Sequence, residues 1–164
     1  MTSQYDSSIY YFKKCLEINP KHELAGSYLG LTYTNLGNYE EALKTYNTAI
    51  EQNPKSIISH NLKLRLLITQ KKWEEALEFS KKCLAIDPFN SEIYLLRGNI
   101  NQAMNKSTDA LNDYSLSIQY NPEQKDAYIG KWQIFQTLGE KDSVNRYAAF
   151  LSVFYSGTKD ATNP

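Results

Sequence analysis

The chain has 164 residues, 41% of them hydrophobic, and its 18 Lys plus Arg are balanced by 18 Asp plus Glu. That is about one domain's length with enough apolar residues to bury a core, and the balanced charge excludes a global field that would gather nucleic acid, anionic lipid or an acidic substrate. The two cysteines, Cys15 and Cys83, show neither CxxC nor Cys/His spacing, so no disulfide framework or zinc site is signalled.

Read in chain order, the opening MTSQYDSSIYYFKK has no basic region ahead of a long apolar run and no Arg-rich presequence. No stretch of about 18 apolar residues occurs anywhere, so a cytoplasmic location without membrane insertion is the expectation. Tyr5 to Ile18 reads as one helix, ending in CLEINP at Pro20. Leu24, Tyr28, Leu31 and Asn35 bound a second, because apolar residues recur there at three and four. Gly37-Asn38 breaks it, since this pair accepts left-handed backbone at a helix C-terminus. Tyr39, Ala42, Leu43, Tyr46, Ala49 and Ile50 trace the third helix, and Pro54 stops it. A proline disfavours helical geometry in the residue before it and lacks the N–H a continuing helix needs.

The pattern then returns. Pro20, Pro54, Pro88 and Pro122 stand 34 residues apart, which aligns CLEINP, AIEQNP, CLAIDP and SIQYNP as helix ends and Tyr5-DSSI, Tyr39-EEAL, Trp73-EEAL and Ser107-TDAL as helix starts. Ser56 and Asn90 follow their prolines by two residues, where they can accept bonds from the free N–H groups of the next helix. The last unit breaks at Leu138-Gly139, and its second helix, KDSVNRYAAFLSVFY, lacks the closing proline. The expected fold is all-α, a stack of helical hairpins with about nine helices. Its divisions are a half repeat at 1–20 (second helix only), full repeats at 21–54, 55–88 and 89–122, a degenerate capping hairpin at 123–156 and a loose tail at 157–164.

These residues resemble the tetratricopeptide repeat (TPR) family, whose pattern is W-x2-L-G-x2-Y, then alanine, aromatic and small columns, then proline after the second helix. The first full unit carries Gly26 in the tryptophan column, then Leu29-Gly30, Tyr33, Ala42, Tyr46, Ala49 and Pro54. The second has Leu64 for the glycine and Ser80 for the aromatic, and the third has Arg97 and Asn101 in normally apolar columns. The resemblance implies a right-handed superhelical solenoid whose first helices line a concave groove for a peptide or a partner helix. It thus implies a protein-interaction scaffold or adaptor in a larger assembly, without catalysis or cofactor. The groove residues so implied are Leu24, Ser27, Tyr28, Leu31 and Asn35, then Ile58, Asn61, Leu62 and Arg65, then Leu95, Leu96 and Asn99. Part of this set is expected to pack inside the stack instead. The apolar end of the last helix, with Phe150, Leu151, Phe154 and Tyr155, is a possible edge contact for a homo- or hetero-oligomer.

Co-chaperone members of the family hold a chaperone's terminal carboxylate with Lys and Asn on the first groove helix, Asn on the second, and Lys plus Arg on the third. The corresponding positions here are Ser27, Leu31, Leu62, Glu92 and Leu96, so the clamp is missing and chaperone-tail binding is not expected. A co-chaperone of atypical specificity and a regulatory subunit of an enzyme complex stay as alternatives. Glu40-Glu41 suggests acid/base chemistry, but Glu74-Glu75 repeats it one unit later, which favours first-turn acids complementing the helix dipole. His22 and His60 stand without ligands at metal-binding spacing, and no phosphate loop or nucleophilic set occurs.

Overall fold

The computed structural model describes residues 2–156, with side chains described from residue 4 to residue 153. Among the described residues there are nine α-helices and no strands: α1 (Thr2–Ile18), α2 (Glu23–Asn35), α3 (Tyr39–Gln52), α4 (Ile57–Thr69), α5 (Trp73–Ile86), α6 (Ser91–Ala103), α7 (Ser107–Tyr120), α8 (Lys125–Leu138) and α9 (Lys141–Ser156). No helix is long and apolar enough to cross a membrane among the described residues. The expected tail at 157–164 lies outside them. The helices fall into two compact units, Met1–Pro88 and Phe89–Pro164. In the first, α2 packs on α1, α3 and α4, α3 packs on α4, and α4 packs on α5. In the second, α6 packs on α7 and α8, α7 packs on α8, and α8 packs on α9.

The turn inside each full hairpin is one device used four times. Gly37, Lys71, Asn105 and Gly139 all take positive φ, at 76°, 57°, 59° and 74°. The next N–H then reaches five residues back: Asn38 to Tyr33, Lys72 to Leu67, Lys106 to Asn101, and Glu140 to Phe135, at 2.8–3.0 Å. This pairing satisfies helix-end carbonyls that would otherwise lack a donor. Glycine enters the left-handed region freely, whereas Lys71 does so against its own Cβ.

Three of the four first helices, α2, α4 and α6, begin on side-chain caps, whereas Gln124 ahead of α8 makes none. Ser56 Oγ accepts from Ser59 N at 3.2 Å and Asn90 Oδ1 from Ile93 N at 3.0 Å, while His22 Nδ1 accepts from Ala25 N at 3.2 Å. Before the prolines, Asp87 (φ −132°) and Asn121 (φ −142°) are extended and Asn53 (φ −134°) has also left helical geometry, as the clash with the proline ring favours.

Close helix approach rests on small residues facing rings. A Cβ on Gly30 would overlap the Tyr46 ring, and one on Gly98 would lie 2.6 Å from Tyr114 Cε1. Tyr46 and Tyr114 are buried, each beside a fully buried alanine of its own helix, Ala42 and Ala110. In α4–α5 the volumes are exchanged: Leu64 stands in the glycine column and Ser80 in the aromatic column, and both are fully buried. The interior stays filled because one helix gains what its partner gives up.

Candidate protein-binding surface

In the first unit, α2 and α4 lie side by side, joined by Ser27 Oγ and Ser59 Oγ at 2.8 Å. Ser56 Oγ donates to Glu23 Oε1 at 2.6 Å beside this contact. On this pair Leu24 is 44% and Tyr28 43% exposed, and Asn35 and Arg65 are exposed too. Leu31, Ile58, Asn61 and Leu62 are half-buried. Arg65 Nε donates to Asn61 Oδ1 at 2.9 Å, which fixes a cation on α4. Leu62 also leans on the core formed by Ala42, Tyr46 and Leu66.

Three residues expected on the groove are core instead. Ser27 is fully buried and spends its hydroxyl on Ser59, while Leu95 and Leu96 are 4% and 5% exposed. Leu95 belongs to the cluster with Ala110, Tyr114, Ala127 and Ile134. Ser27 and Leu95 hold the same column of the 34-residue period, and that column turns inward on α2 and α6 alike; Leu96 is buried although Tyr28, in its column on α2, is exposed. Asn99, in contrast, is exposed.

Asn99 belongs to a polar network in the second unit. Tyr114 Oη lies 2.8 Å from Asn99 Oδ1 and 2.6 Å from Gln102 Oε1. A phenol has one proton, so it donates to one amide and the other turns its NH2 toward it. Burial pushes the Tyr114 phenol well above its ordinary range, and the Asp113 carboxylate adds to this. Arg97 and Asn101, the polar residues in apolar columns, both find Asp113: Arg97 Nε donates to Oδ1 at 2.9 Å and Asn101 Nδ2 to Oδ2 at 2.8 Å. Arg97 also stacks over the Tyr94 ring at 5.1 Å. Sequence reading marked Arg97 and Asn101 but missed Asp113, which is legible only once α7 is folded against α6. The buried members of the network, Asp113, Asn101 and Tyr114, spend their polar atoms on one another's helices, which is a structural role.

At the C-terminal edge, Phe150 is 39% exposed and stacks on Tyr128 with ring centroids 4.3 Å apart. Leu151, expected as an edge contact, is buried. The side chains of Phe154 and Tyr155 lie outside the described residues.

The acid pairs Glu40-Glu41 and Glu74-Glu75 are exposed in the first turns of α3 and α5. His60 is buried, with Nδ1 donating to Ser56 O at 2.7 Å and its ring stacked on Phe79 at 5.6 Å. Cys83 is fully buried, and burial pushes its thiol up to about 12. Cys15 is half-buried. Among the described residues, no three His, Cys, Asp or Glu side chains gather as metal ligands would.

Repeated helical hairpins with glycine-on-tyrosine packing, left-handed turns and closing prolines define a tetratricopeptide repeat protein. Over residues 1–83 the chain matches the family described as anaphase-promoting complex, cyclosome, subunit 3, and it belongs to that family. Anaphase-promoting complex subunit 3 of Schizosaccharomyces pombe is 27% identical over 133 residues, covering 81% of this chain and 20% of that protein. Human serine/threonine-protein phosphatase 5 is 30% identical over 95 residues, covering 58% of this chain and 19% of that protein. Among solved structures, MamA superposes with a TM-score of 0.81 at 18% identity, covering 99% of this chain and 94% of the other. The chain spans about a fifth of the length of these two curated relatives.

Proposed function

We propose that the chain is a non-catalytic adaptor within a larger assembly, binding an amphipathic helix or extended peptide of another protein on its first helices. The observation that carries this reading is the α2–α4 face. Leu24 and Tyr28 on α2 stand more than two-fifths exposed, α4 carries the Asn61–Arg65 pair, and the two helices are joined by a buried Ser27–Ser59 bond. Exposed apolar anchors flanked by a fixed polar pair suit the apolar stripe of a helix. Membership of a family described as a subunit of a complex supports the same reading. Asn35 and Ile58 extend the proposed surface along the two helices, and Asn99 is a separate candidate contact on the second unit.

A chaperone carboxylate is a poor fit, since Ser27 is occupied by Ser59 and Leu31, Leu62 and Leu96 offer no donor. The phosphatase relative favours one second reading, a regulatory subunit acting on an enzyme held elsewhere.

The test is affinity purification of the tagged chain from its own cells, with cross-linking at positions 24 and 65, beside the double variant Leu24→Glu, Arg65→Glu. Both residues are exposed, so helicity is expected to be unchanged while stable partners fall by at least about tenfold, which is about 1.4 kcal/mol. Unchanged capture with an intact fold sinks the groove. Cross-links to many stable partners support the subunit reading, and cross-links to a single enzyme replace it with the regulatory one.

A further inference from the structure

We propose that the cavity between α1, α2 and α3 is a second binding site, taking one aromatic side chain from a short acidic segment of a partner protein. The cavity measures about 200 Å³. Buried Gly26, Leu29 and Ala49 line its depth, Tyr33 and Thr45 stand half-buried on its walls, and Lys13, Glu41 and Lys44 are exposed at its mouth. A cavity of about 150 Å³ with apolar walls already accepts a benzene-sized ring. None of these residues belongs to the α2–α4 face, so the inference stands apart from that reading.

The other hairpins show what this place holds elsewhere. One period after Gly26, Leu29 and Thr45 come His60, Lys63 and Phe79, and three periods after them come Tyr128, Lys131 and Tyr147. In α4–α5 the His60 ring stacks on Phe79 with centroids 5.6 Å apart, and Lys63 lies 4.5 Å over the Phe79 ring while donating to Asn47 Oδ1 of α3 at 2.7 Å. In α8–α9 the Tyr128 and Tyr147 rings are 6.4 Å apart, and Lys131 lies 5.4 Å over Tyr147 while donating to Ser115 Oγ of α7 at 2.8 Å. In α6–α7 Arg97 lies over the Tyr94 ring and donates to Asp113. Each of these hairpins fills the place with a ring and a cation. In α2–α3 the three columns supply neither, and the cavity stands there instead. A cation is still at hand, since Lys13 of α1, in the column of Asn47 and Ser115, reaches the mouth with Nζ 6.0 Å from the Tyr33 ring centroid. A guest ring therefore completes from outside the pairing that the other hairpins make with their own side chains.

The opening does not depend on what precedes α1. The equivalent groove one repeat later has a whole hairpin ahead of it, and Glu75, Glu78 and Lys82 at the corresponding mouth are still exposed. Chain that continued the period ahead of α1 would pack on α1 and α2, as α2 packs on α3 and α4, rather than across α1 and α3. The segment 157–164 has no aromatic residue to offer. The ring is therefore supplied by another protein, which fits a family described as a subunit of a complex. Lys13 and Lys44 outnumber Glu41 at the mouth, so acidic residues beside the ring are favoured.

The test is an NMR titration of the isotope-labelled chain with blocked tripeptides, Asp-Trp-Asp, Lys-Trp-Lys and Asp-Leu-Asp, and with free indole. Asp-Trp-Asp is expected to shift the amides of Gly26, Thr48 and Ala49 with a Kd on the order of a millimolar or below, the range for a guest of this size. Asp-Leu-Asp is expected to bind at least about tenfold more weakly, and Lys-Trp-Lys about threefold more weakly, with the acidic preference lost in Lys44→Glu. Thr45→Phe places on α3 the ring that Phe79 places on α5, and is expected to abolish the shifts with helicity retained. No shifts in the unaltered chain at about 10 mM Asp-Trp-Asp overturn the inference, as does equal binding of Asp-Leu-Asp. Indole binding more tightly than Asp-Trp-Asp assigns the cavity to a small molecule and overturns it too. So does a dimer of the chain in sedimentation that Thr45→Phe abolishes, which would make a second copy the occupant. In cells, a photo-crosslinker at position 48 of the protein at its natural length is expected to mark an aromatic residue beside Asp or Glu on another polypeptide, and a crosslink within its own polypeptide overturns the assignment. Leu24→Glu with Arg65→Glu, which disables the α2–α4 face, is expected to leave the titration unchanged.

Discussion

In the α2–α3 hairpin a glycine of the first helix receives a tyrosine of the second, whereas in α4–α5 a leucine stands in the first helix and a serine in the second. Gly30 and Tyr46 place nearly all the volume on α3, and Leu64 and Ser80 place it on α4, yet all the side chains concerned are buried. The lesson is that the repeat conserves the filled space between its helices rather than the residue at a column. Close packing penalises a void and an overlap alike, so a change on one helix is tolerated when its partner changes in the opposite sense. The α6–α7 hairpin keeps the glycine and tyrosine, but surrounds them with the Arg97–Asp113–Asn101 network.

The largest expected effect removes the ring that distinguishes the two hairpins. Tyr46→Ala leaves a cavity in α2–α3 and is expected to cost about 3–5 kcal/mol in urea unfolding, by analogy with truncation of other buried aromatics. Ser80→Ala in α4–α5 loses only a hydroxyl that donates to Leu77 O at 2.7 Å in its own helix, and is expected to cost about 1 kcal/mol or less. Equal losses would mean that the two hairpins do not divide their volume as described.

A smaller effect tests the exchange itself. Gly30→Leu forces a side chain into the Tyr46 ring and is expected to destabilise by about 1–3 kcal/mol. Adding Tyr46→Ser, which rebuilds the α4–α5 arrangement inside α2–α3, is expected to return part of that loss, with a favourable coupling of about 0.5–3 kcal/mol in the double-mutant cycle. Additive losses would refute compensation.

The smallest effect concerns the turns. Gly37 takes its positive φ without strain, whereas Lys71 holds φ 57° in the equivalent turn. Lys71→Gly is expected to raise stability by up to about 1 kcal/mol, seen as a higher urea midpoint with an unchanged slope. Asn105→Gly is expected to gain less, because asparagine tolerates this region better than lysine.

Particular residues show how far the sequence could be read. The prolines, the Gly37 and Gly139 turns and the caps at Ser56 and Asn90 were legible because each acts on backbone within a few residues of itself. The cap that His22 places on Ala25 is not legible in the sequence, since histidine is an unusual choice there. Lys71 and Asn105 gave no glycine to mark their left-handed turns, although the 34-residue period pointed to them. The groove was less legible. Leu24, Tyr28 and Arg65 are exposed, while Ser27, Leu95 and Leu96 are buried. A substitution such as Leu96→Glu would therefore disturb the core and report nothing about partner binding.

The sequence by itself determined the all-α class, the hairpin unit and where the helices closed by a glycine or a proline stop, because glycine, proline and cap residues work through local backbone geometry. Only the tertiary structure decided which residues of a first helix face solvent, that Asp113 completes the pair of Arg97 and Asn101, and that Leu64 and Ser80 exchange volumes. Those outcomes depend on which side chains from different helices meet, and burial is a property of the meeting rather than of either residue alone.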